Sequence, residues 1–236
     1  MIYLTGDIHG DPWRIVNFCR RMEPGKDDII VLLGDVGANF YGGKKDEAVK
    51  AMLDMCGLKM LCVHGNHEMR PRNVPGYELS EWHGGKVWVQ ADFPNLLFAK
   101  DGEIFDLGGQ RCIVIGGAYS VDKPMRLAHG YGWWEDEQPS DEIKAYVEEQ
   151  LRTNPIDVVL SHTCPFKYEP VEMYLSGVDQ SGVDDSTERW LDKIEKSIDY
   201  KDWFCGHWHT DKRVDRMHFM FVSFETLDDL KGENKR

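Results

Sequence analysis

No apolar run in the sequence approaches the ~20 residues that a membrane-spanning helix needs. Residues 1–7 also lack the basic and apolar regions of a signal peptide. The six cysteines are scattered, without a CxxC pair or the spacing of a disulfide-rich framework. We therefore expect a cytoplasmic protein with no membrane partner, whose thiols are buried and reduced.

Positive charge is scarce as well. Lys and Arg number 28 against 41 Asp and Glu, which gives a formal net charge of -13. A chain with this balance is not expected to hold long nucleic acid on a broad basic surface. A small phosphate-ester or nucleotide-like substrate stays compatible with it, because bound metal ions can dominate the field of a site.

Internal repeats, coiled-coil heptads and low-complexity segments are absent from the 236 residues. A chain of 27.2 kDa with 42% hydrophobic residues is able to bury a sizeable core. We predict a single domain over residues 1–236, with a charged tail that frays from about residue 228.

Apolar runs and helical patterns alternate in the first third of the chain. Strands are predicted at residues 2–5, 28–33 and 59–63, separated by helices from residue 12 and over residues 45–56. The order strand–helix–strand is typical of parallel α/β sheets, in which sites collect at the carboxyl ends of the strands.

The middle of the chain has short strands separated by turn residues, at 86–89, 96–99, 103–107 and 111–115. Asp101-Gly102 and Gly108-Gly109 are predicted hairpin connections. Further on, helices are expected from Ser140 to Leu151 and from Ser186 to about Ser197, with a strand at 157–160. Two long segments, 116–138 and 165–185, have no regular pattern.

Each predicted strand of the α/β part ends in side chains that bind metals or move protons. These are Asp7 and His9, Asp35, Asn66 and His67, His162, and His207 with His209. Oxygen donors mixed with imidazoles suit Mn, Fe or Zn better than a thiolate site would. Seven ligands, which are these residues without His67, are too many for one tetrahedral zinc ion and suit two ions that share a carboxylate. We expect two divalent transition-metal ions, with Mn2+ first and Fe or Zn as alternatives.

These strand-end motifs, in this order, resemble the signature of the calcineurin-like metallophosphoesterase superfamily. The matching stretches are Gly6-Asp7-Ile8-His9-Gly10, Gly34-Asp35, Gly65-Asn66-His67-Glu68, Ser161-His162 and Gly206-His207-Trp208-His209. The resemblance spans residues 5 to 209. It implies an α/β fold: a four-layer sandwich of two mixed β-sheets flanked by helices, with a dinuclear metal site at the C-terminal ends of the strands.

The resemblance also implies a role for each residue. Asp7, His9 and His209 would bind the first ion; Asn66, His162 and His207 would bind the second; and Asp35 would bridge them. His67 would contact the phosphoryl oxygen or protonate the leaving alkoxide. Glu68 would orient its neighbours.

One departure from the protein phosphatases of this superfamily lies after the Gly34-Asp35 motif. There the phosphatases have an Asp that supports the catalytic His and an Arg that binds phosphate, whereas this chain has Ala38 and Asn39. A phosphate-binding cation must therefore come from elsewhere. The candidates for substrate binding are Asn39, Arg70, Tyr119 and Arg126.

The expected function is metal-dependent hydrolysis of a phosphate mono- or diester, by in-line attack of a metal-bridging hydroxide. Two alternatives stay open: a catalytically silent binding module on the same fold, and a nuclease of the same superfamily. The aromatic residues of segment 116–138, such as Tyr119 and Trp133, either stack a base of the substrate or pin the segment to the core.

Overall fold

The central strands have apolar residues at successive positions. Their side chains point alternately to the two faces of the sheet, so that each strand is buried on both faces. A computed structural model describes residues 1–177 and 179–227. In it, Leu4 and Val31 belong to a core that lies between two sheets, while their neighbours Tyr3 and Ile30 face helices on the outer side of one sheet. A period of two residues produces this division, because successive side chains of a strand point to opposite faces.

Thirteen strands follow one another in the described residues: β1 (Ile2–Thr5), β2 (Ile29–Leu32), β3 (Lys59–Cys62), β4 (Tyr77–Trp82), β5 (Gly85–Gln90), β6 (Phe93–Ala99), β7 (Ile104–Leu107), β8 (Gln110–Ile115), β9 (Val158–Ser161), β10 (Asp202–Cys205), β11 (Lys212–Val214), β12 (Met217–Phe219) and β13 (Glu225–Thr226). The first sheet has the order β13-β1-β2-β3-β6-β5-β4, and the second has the order β11-β12-β10-β9-β8-β7. Both are mixed, since parallel central strands are flanked by antiparallel edge strands.

Five α-helices accompany the sheets in the described part of the chain: α1 (Trp13–Met22), α2 (Lys44–Asp54), α3 (Lys123–His129), α4 (Asp141–Thr153) and α5 (Ser186–Ser197). Residues of α1 and α2 pack on the outer face of the first sheet, and residues of α4 and α5 pack on that of the second. The order helix, sheet, sheet, helix confirms the predicted four-layer α/β sandwich.

Several element predictions are confirmed. The helix capped by Ser140 is α4, whose Ile143 N–H donates to the Ser140 hydroxyl at 3.4 Å. Gly108-Gly109 joins β7 to β8 as a hairpin. All six cysteines are free thiols; four are buried, and Cys19 and Cys56 are half-buried.

Three expectations are corrected by the structure. Asp101-Gly102 is not a hairpin, because β6 before it pairs in the first sheet and β7 after it pairs in the second. Segment 116–138 contains the short helix α3, and segment 165–185 contains three 3-10 turns. Strand β4 was not expected at all.

The predicted fraying of the tail from residue 228 concerns positions outside the described residues.

No helix in the described residues is both long and apolar enough to cross a membrane.

Candidate metal centre

Five parallel strands bring the predicted ligands to one edge of the two sheets. β1, β2 and β3 of the first sheet run parallel to one another, as do β9 and β10 of the second. The predicted ligands follow the carboxyl ends of these strands: Asp7 and His9 after β1, Asp35 after β2, Asn66 after β3, His162 after β9, and His207 with His209 after β10. The topology thus gathers seven residues that are up to 202 positions apart, from 7 to 209.

The backbone is unusual at four of these positions. Seven non-glycine residues have positive φ in the described chain, and four of them are predicted ligands: His9 (46°), Asp35 (45°), His207 (66°) and His209 (48°). Such conformations cost energy and cluster at functional sites, where surrounding contacts hold them. Their concentration here marks the strand ends as the site of the chain.

Glycine allows two of the strand ends to approach each other. A Cβ on Gly65 would lie 2.0 Å from Asp35 Oδ1, and a Cβ on Gly34 would lie 2.0 Å from His162 Nδ1. Gly34 also has φ +100°, a region that side chains rarely adopt. These contacts explain why a glycine precedes the polar residues at both turns.

The first group of ligand atoms consists of Asp7, His9 and His209. His209 Nε2 lies 2.8 Å from His9 Nε2 and 3.4 Å from Asp7 Oδ2, and His9 Nε2 lies 3.8 Å from the same oxygen. Asp7 is buried. Burial alone would raise the pKa of Asp7, but the hydrogen bond with His209 and the nearby charges of His162 and His9 hold it below its usual value. Asp7 is therefore ionised and faces two imidazoles.

The second group consists of Asn66, His162 and His207. Asn66 Oδ1 lies 2.8 Å from His162 Nε2 and 3.1 Å from His207 Nδ1. The Asn66 amide nitrogen donates to Ser120 Oγ at 2.9 Å, which turns the carbonyl oxygen toward the histidines. His207 is held as a neutral ring, because burial and the charge of His162 lower its pKa to about 3.

Asp35 lies between the two groups. Its Oδ2 is 3.9 Å from His9 Nδ1, and its Oδ1 is 3.7 Å from His162 Nε2. Burial raises the pKa of Asp35. Combinations of these side chains, namely Asp7–His9–His209, His9–Asp35–His67 and Asp7–Asp35–His162, each bring three ligand atoms within 4.8 Å of one another.

The donor set fits a pair of divalent cations. His162 Nδ1 lies 2.8 Å from the Leu33 carbonyl, which can accept its proton, so that a neutral ring would turn its Nε2 lone pair toward a cation. His162 Nε2 lies 2.8 Å from the carbonyl oxygen of Asn66, so both atoms point into the same space. Side chains that converge in this way could hold a cation, and carboxylate, amide and imidazole groups are the ligands of Mn, Fe and Zn sites.

His67 touches the centre and a buried arginine. Its backbone N–H donates to Asp35 Oδ1 at 2.8 Å, and Arg126 Nη2 lies 2.8 Å from its Nε2 and also contacts Nδ1. Burial, followed by the charge of Arg126, lowers the pKa of His67 to about 2. Arg126 belongs to α3 and is held by Asp122 Oδ2 at 2.8 Å and the Gly132 carbonyl at 3.0 Å.

The four candidates for substrate binding separate into two pairs. Arg126 lies at His67, and Tyr119 lines the adjoining cavity. Arg70 is buried away from it, paired with Asp101 and donating to the Asp136 carbonyl at 2.7 Å. Asn39 is also buried, and its Oδ1 accepts from the Tyr77 hydroxyl at 3.1 Å.

Sequence reasoning did not identify Ser120 as the partner of Asn66, because no local pattern marks a serine in an irregular segment. Glu68 was expected to orient its neighbours. Its Oε1 accepts from the backbone N–H of Gly65 at 3.3 Å and of Val36 at 3.4 Å, which joins the turns after β3 and β2. Burial and the charge of Asp35 raise the pKa of Glu68 to about 8.

The chain is similar to known proteins in sequence pattern and in fold. The family model for calcineurin-like phosphoesterases matches residues 1–211. The crystal structure of TT1561 of Thermus thermophilus is similar with a TM-score of 0.53 at 14% sequence identity, over 94% of this chain and 89% of that one. A second solved structure is similar with a TM-score of 0.50 at 14% identity, over 93% of this chain and 88% of its own.

A protein serine/threonine phosphatase from Saccharomyces cerevisiae is more distant, with a TM-score of 0.35 and 14% identity over 93% of this chain and 66% of its own. No curated protein matches the sequence. The structural likenesses, at these identities, support the fold alone. The match of the family model over most of the chain shows the family: the protein belongs to the calcineurin-like phosphoesterases.

Proposed function

We propose that the protein hydrolyses a phosphate mono- or diester with the help of two divalent transition-metal ions. The observation that carries this proposal is the convergence of carboxylate, amide and imidazole groups at the strand ends, where His162 Nε2 and His207 Nδ1 both face Asn66 Oδ1. A binding module that had lost catalysis is expected to have lost some of these ligand positions, whereas all seven positions are filled here by residues able to bind a metal.

Asp7, His9 and His209 would hold one ion, Asn66, His162 and His207 the other, and Asp35 would contact both. When bound, two such ions supply an activated water and the positive charge that an in-line displacement at phosphorus requires. Mn2+ is the ion we expect first, with Fe and Zn as alternatives.

Arg126 and His67 would act on the phosphoryl group beside the metals. The guanidinium has three separate contacts, to Asp122, Gly132 and His67, and these fix its position. It would supply the phosphate-binding cation that is missing at Asn39. His67 would contact a phosphoryl oxygen, because burial and the charge of Arg126 lower its pKa to about 2 and leave it a neutral ring rather than an acid for the leaving alkoxide.

A panel of metals and esters tests the proposal. Purified protein is assayed with Mn2+, Zn2+, Fe2+ and Ni2+ against p-nitrophenyl phosphate and bis(p-nitrophenyl) phosphate, and its metal content is measured. We expect about two ions per chain, and a loss of at least about 100-fold in kcat/KM for Asp35→Asn. Asp27→Asn, at an exposed position outside the site, is the matched control.

Full activity of Asp35→Asn, or no turnover with any metal, would contradict the enzyme proposal. A metal content well below one ion per chain would revive the binding module. Binding to long nucleic acid that weakens steeply with salt would instead support the nuclease alternative.

A further inference from the structure

A cavity of about 600 Å³ extends from the metal-centre residues toward segment 165–185. Asp35, Asn66 and His67 line it at the strand ends, and Glu188 of α5 lines it together with residues of the segment. A phosphoryl group at the strand ends would occupy only part of this volume. The remainder is available to the ester group of the substrate.

Aromatic rings line the cavity next to His207. Trp208 follows His207 in the chain, with 5.3 Å between the two ring centroids. Tyr174 stacks along Trp208 at a centroid distance of 6.1 Å and an angle of 25°. Tyr119 lines the same cavity. Flat surfaces of this kind bind the rings of ligands by stacking.

The charge of the lining is one-sided. No lysine or arginine among the described residues lines the cavity. Apart from Asp35, its lining includes five carboxylates: Asp122, Glu169, Asp184, Asp185 and Glu188. Arg126 pairs with Asp122 and Arg189 pairs with Asp185. The other three, Glu169, Asp184 and Glu188, have no ion-pair partner within residues 1–177 and 179–227, so the lining is acidic, and it gains a further negative charge when Glu188 ionises.

Glu188 is the most confined of these carboxylates, with 4% of its surface exposed. Burial, together with the charges of Glu169 and Asp185, raises the pKa of Glu188 to about 8. A buried carboxyl group without a cation is costly, and a ligand that brings a donor or a positive charge relieves that cost. A ligand that brings another anion increases it.

We propose that this cavity selects phosphoesters of ring-bearing alcohols that carry hydrogen-bond donors or a positive charge, and rejects esters with a further anionic group. The selection rests on the proposed phosphoesterase function of the adjoining centre. The rings beside His207 would hold the ring of the alcohol, and Glu188 with Glu169 would face its donor or cationic end. Polyphosphates and nucleic acid would be poor substrates, since their additional phosphates would meet unpaired carboxylates.

Three esters that differ only in the charge of a remote arm test the selection. They are the phosphate esters of tyramine, 4-ethylphenol and 3-(4-hydroxyphenyl)propionate, each as a monoester and as a methyl diester. The Mn2+-loaded protein is assayed with each ester at about pH 8.5, where the amine of tyramine is still charged. The phenol leaving group is nearly the same in all three. We expect kcat/KM to be at least about tenfold higher for the tyramine ester than for the propionate ester, with the ethyl ester between them.

Glu188→Gln and, separately, the half-buried Glu169→Gln should reduce this ratio several-fold. Glu172→Gln, on the same segment but outside the cavity lining, should leave it unchanged. Equal rates for the three esters, a preference for the propionate ester, or an unchanged ratio in both variants would overturn the proposal. If no ester is hydrolysed, the phosphoesterase function fails, while the order of the three dissociation constants from calorimetry still decides the selection.

Discussion

At the scale of single residues, the contact between Arg126 and His67 answers a question that the sequence raises. The protein-phosphatase pattern places an acid beside the catalytic histidine, and this chain has Ala38 at that position. In the structure a guanidinium takes the place beside His67, 2.8 Å from its Nε2. A cation supports a neutral imidazole and a bound anion, whereas an acid supports a protonated imidazole.

Substitution of Arg126 by lysine keeps the charge but removes the fork that reaches Asp122, Gly132 and His67 together. We expect kcat/KM to fall about 10- to 100-fold, because a lysine ammonium is a point charge on a flexible stem. Steady-state kinetics on the preferred ester measures the loss. Arg152→Lys, at an exposed pair with Glu149, is the control, and equal kinetics for the two variants would contradict the role of Arg126.

The meeting of the predicted ligand residues at the strand ends could be predicted because their signal is local. Each stands within a few positions of the end of an apolar strand, next to a glycine or a short polar turn. The contact of Arg126 with His67 could not be predicted, since the two residues are 59 positions apart and no sequence motif contains both. The same holds for Ser120 and Asn66, which are 54 positions apart. Such pairs form only when the chain folds, and no short stretch of the sequence contains both partners.

At the scale of secondary-structure elements, His218 on β12 joins the two sheets. Its Nε2 lies 2.9 Å from Asp202 Oδ1 on β10 of the second sheet, and its Nδ1 lies 2.7 Å from Glu225 Oε2 on β13 of the first. Burial by itself would lower the pKa of His218, but the two carboxylates raise it above its usual value. The protonated ring thus holds β13 against the second sheet.

The pKa of His218 in the folded protein lies above its unfolded value of 6.5. The contribution of the protonated ring to the free energy of unfolding is therefore complete below pH 6.5, and it disappears as the pH rises through the folded pKa. We expect His218→Gln to lower the free energy of unfolding by about 2 kcal/mol under mildly acidic conditions, and by less at alkaline pH. Urea unfolding at several pH values measures this. His129→Gln, at an exposed position, is the control. If the loss of stability in His218→Gln did not become smaller with rising pH, the explanation would be wrong.

Elements with a strong apolar period were predicted within a few residues, and the missed elements lack one. Strand β4 lies at the edge of its sheet, and most of its side chains are exposed, so its sequence has little apolar alternation. Helix α3 has seven residues, too few for a clear helical period. The Asp101-Gly102 turn was misassigned because turn residues do not indicate whether the next strand joins the same sheet.

At the scale of the whole molecule, the buried carboxyl groups make stability depend on pH. Glu188 binds its proton more tightly when folded, since burial and then the neighbouring charges raise its pKa from 4.5 to about 8. Between these two values the folded state holds more protons than the unfolded state. The free energy of unfolding therefore falls as the pH rises through this window.

Replacement of Glu188 by glutamine removes this dependence. We expect Glu188→Gln to be more stable than the unmodified protein by about 1–3 kcal/mol at pH 8.5 to 9, and equally stable below about pH 4.5. Denaturant unfolding of both proteins at matched pH gives the difference. The exposed Glu172→Gln, which loses only a surface ion pair with Lys212, should show no such gain at alkaline pH, and a Glu188→Gln variant that is less stable at alkaline pH would refute the argument.

The gathering of residues 7 to 209 at one edge of two sheets also has a consequence during synthesis. Asp7 and His9 leave the ribosome about 200 residues before His209, with which His9 shares a contact. At about 5–20 residues per second, this interval lasts roughly 10–40 s. Throughout this interval the first strand ends exist but cannot form the site, so a nascent chain can acquire this geometry only after His209 has been synthesised.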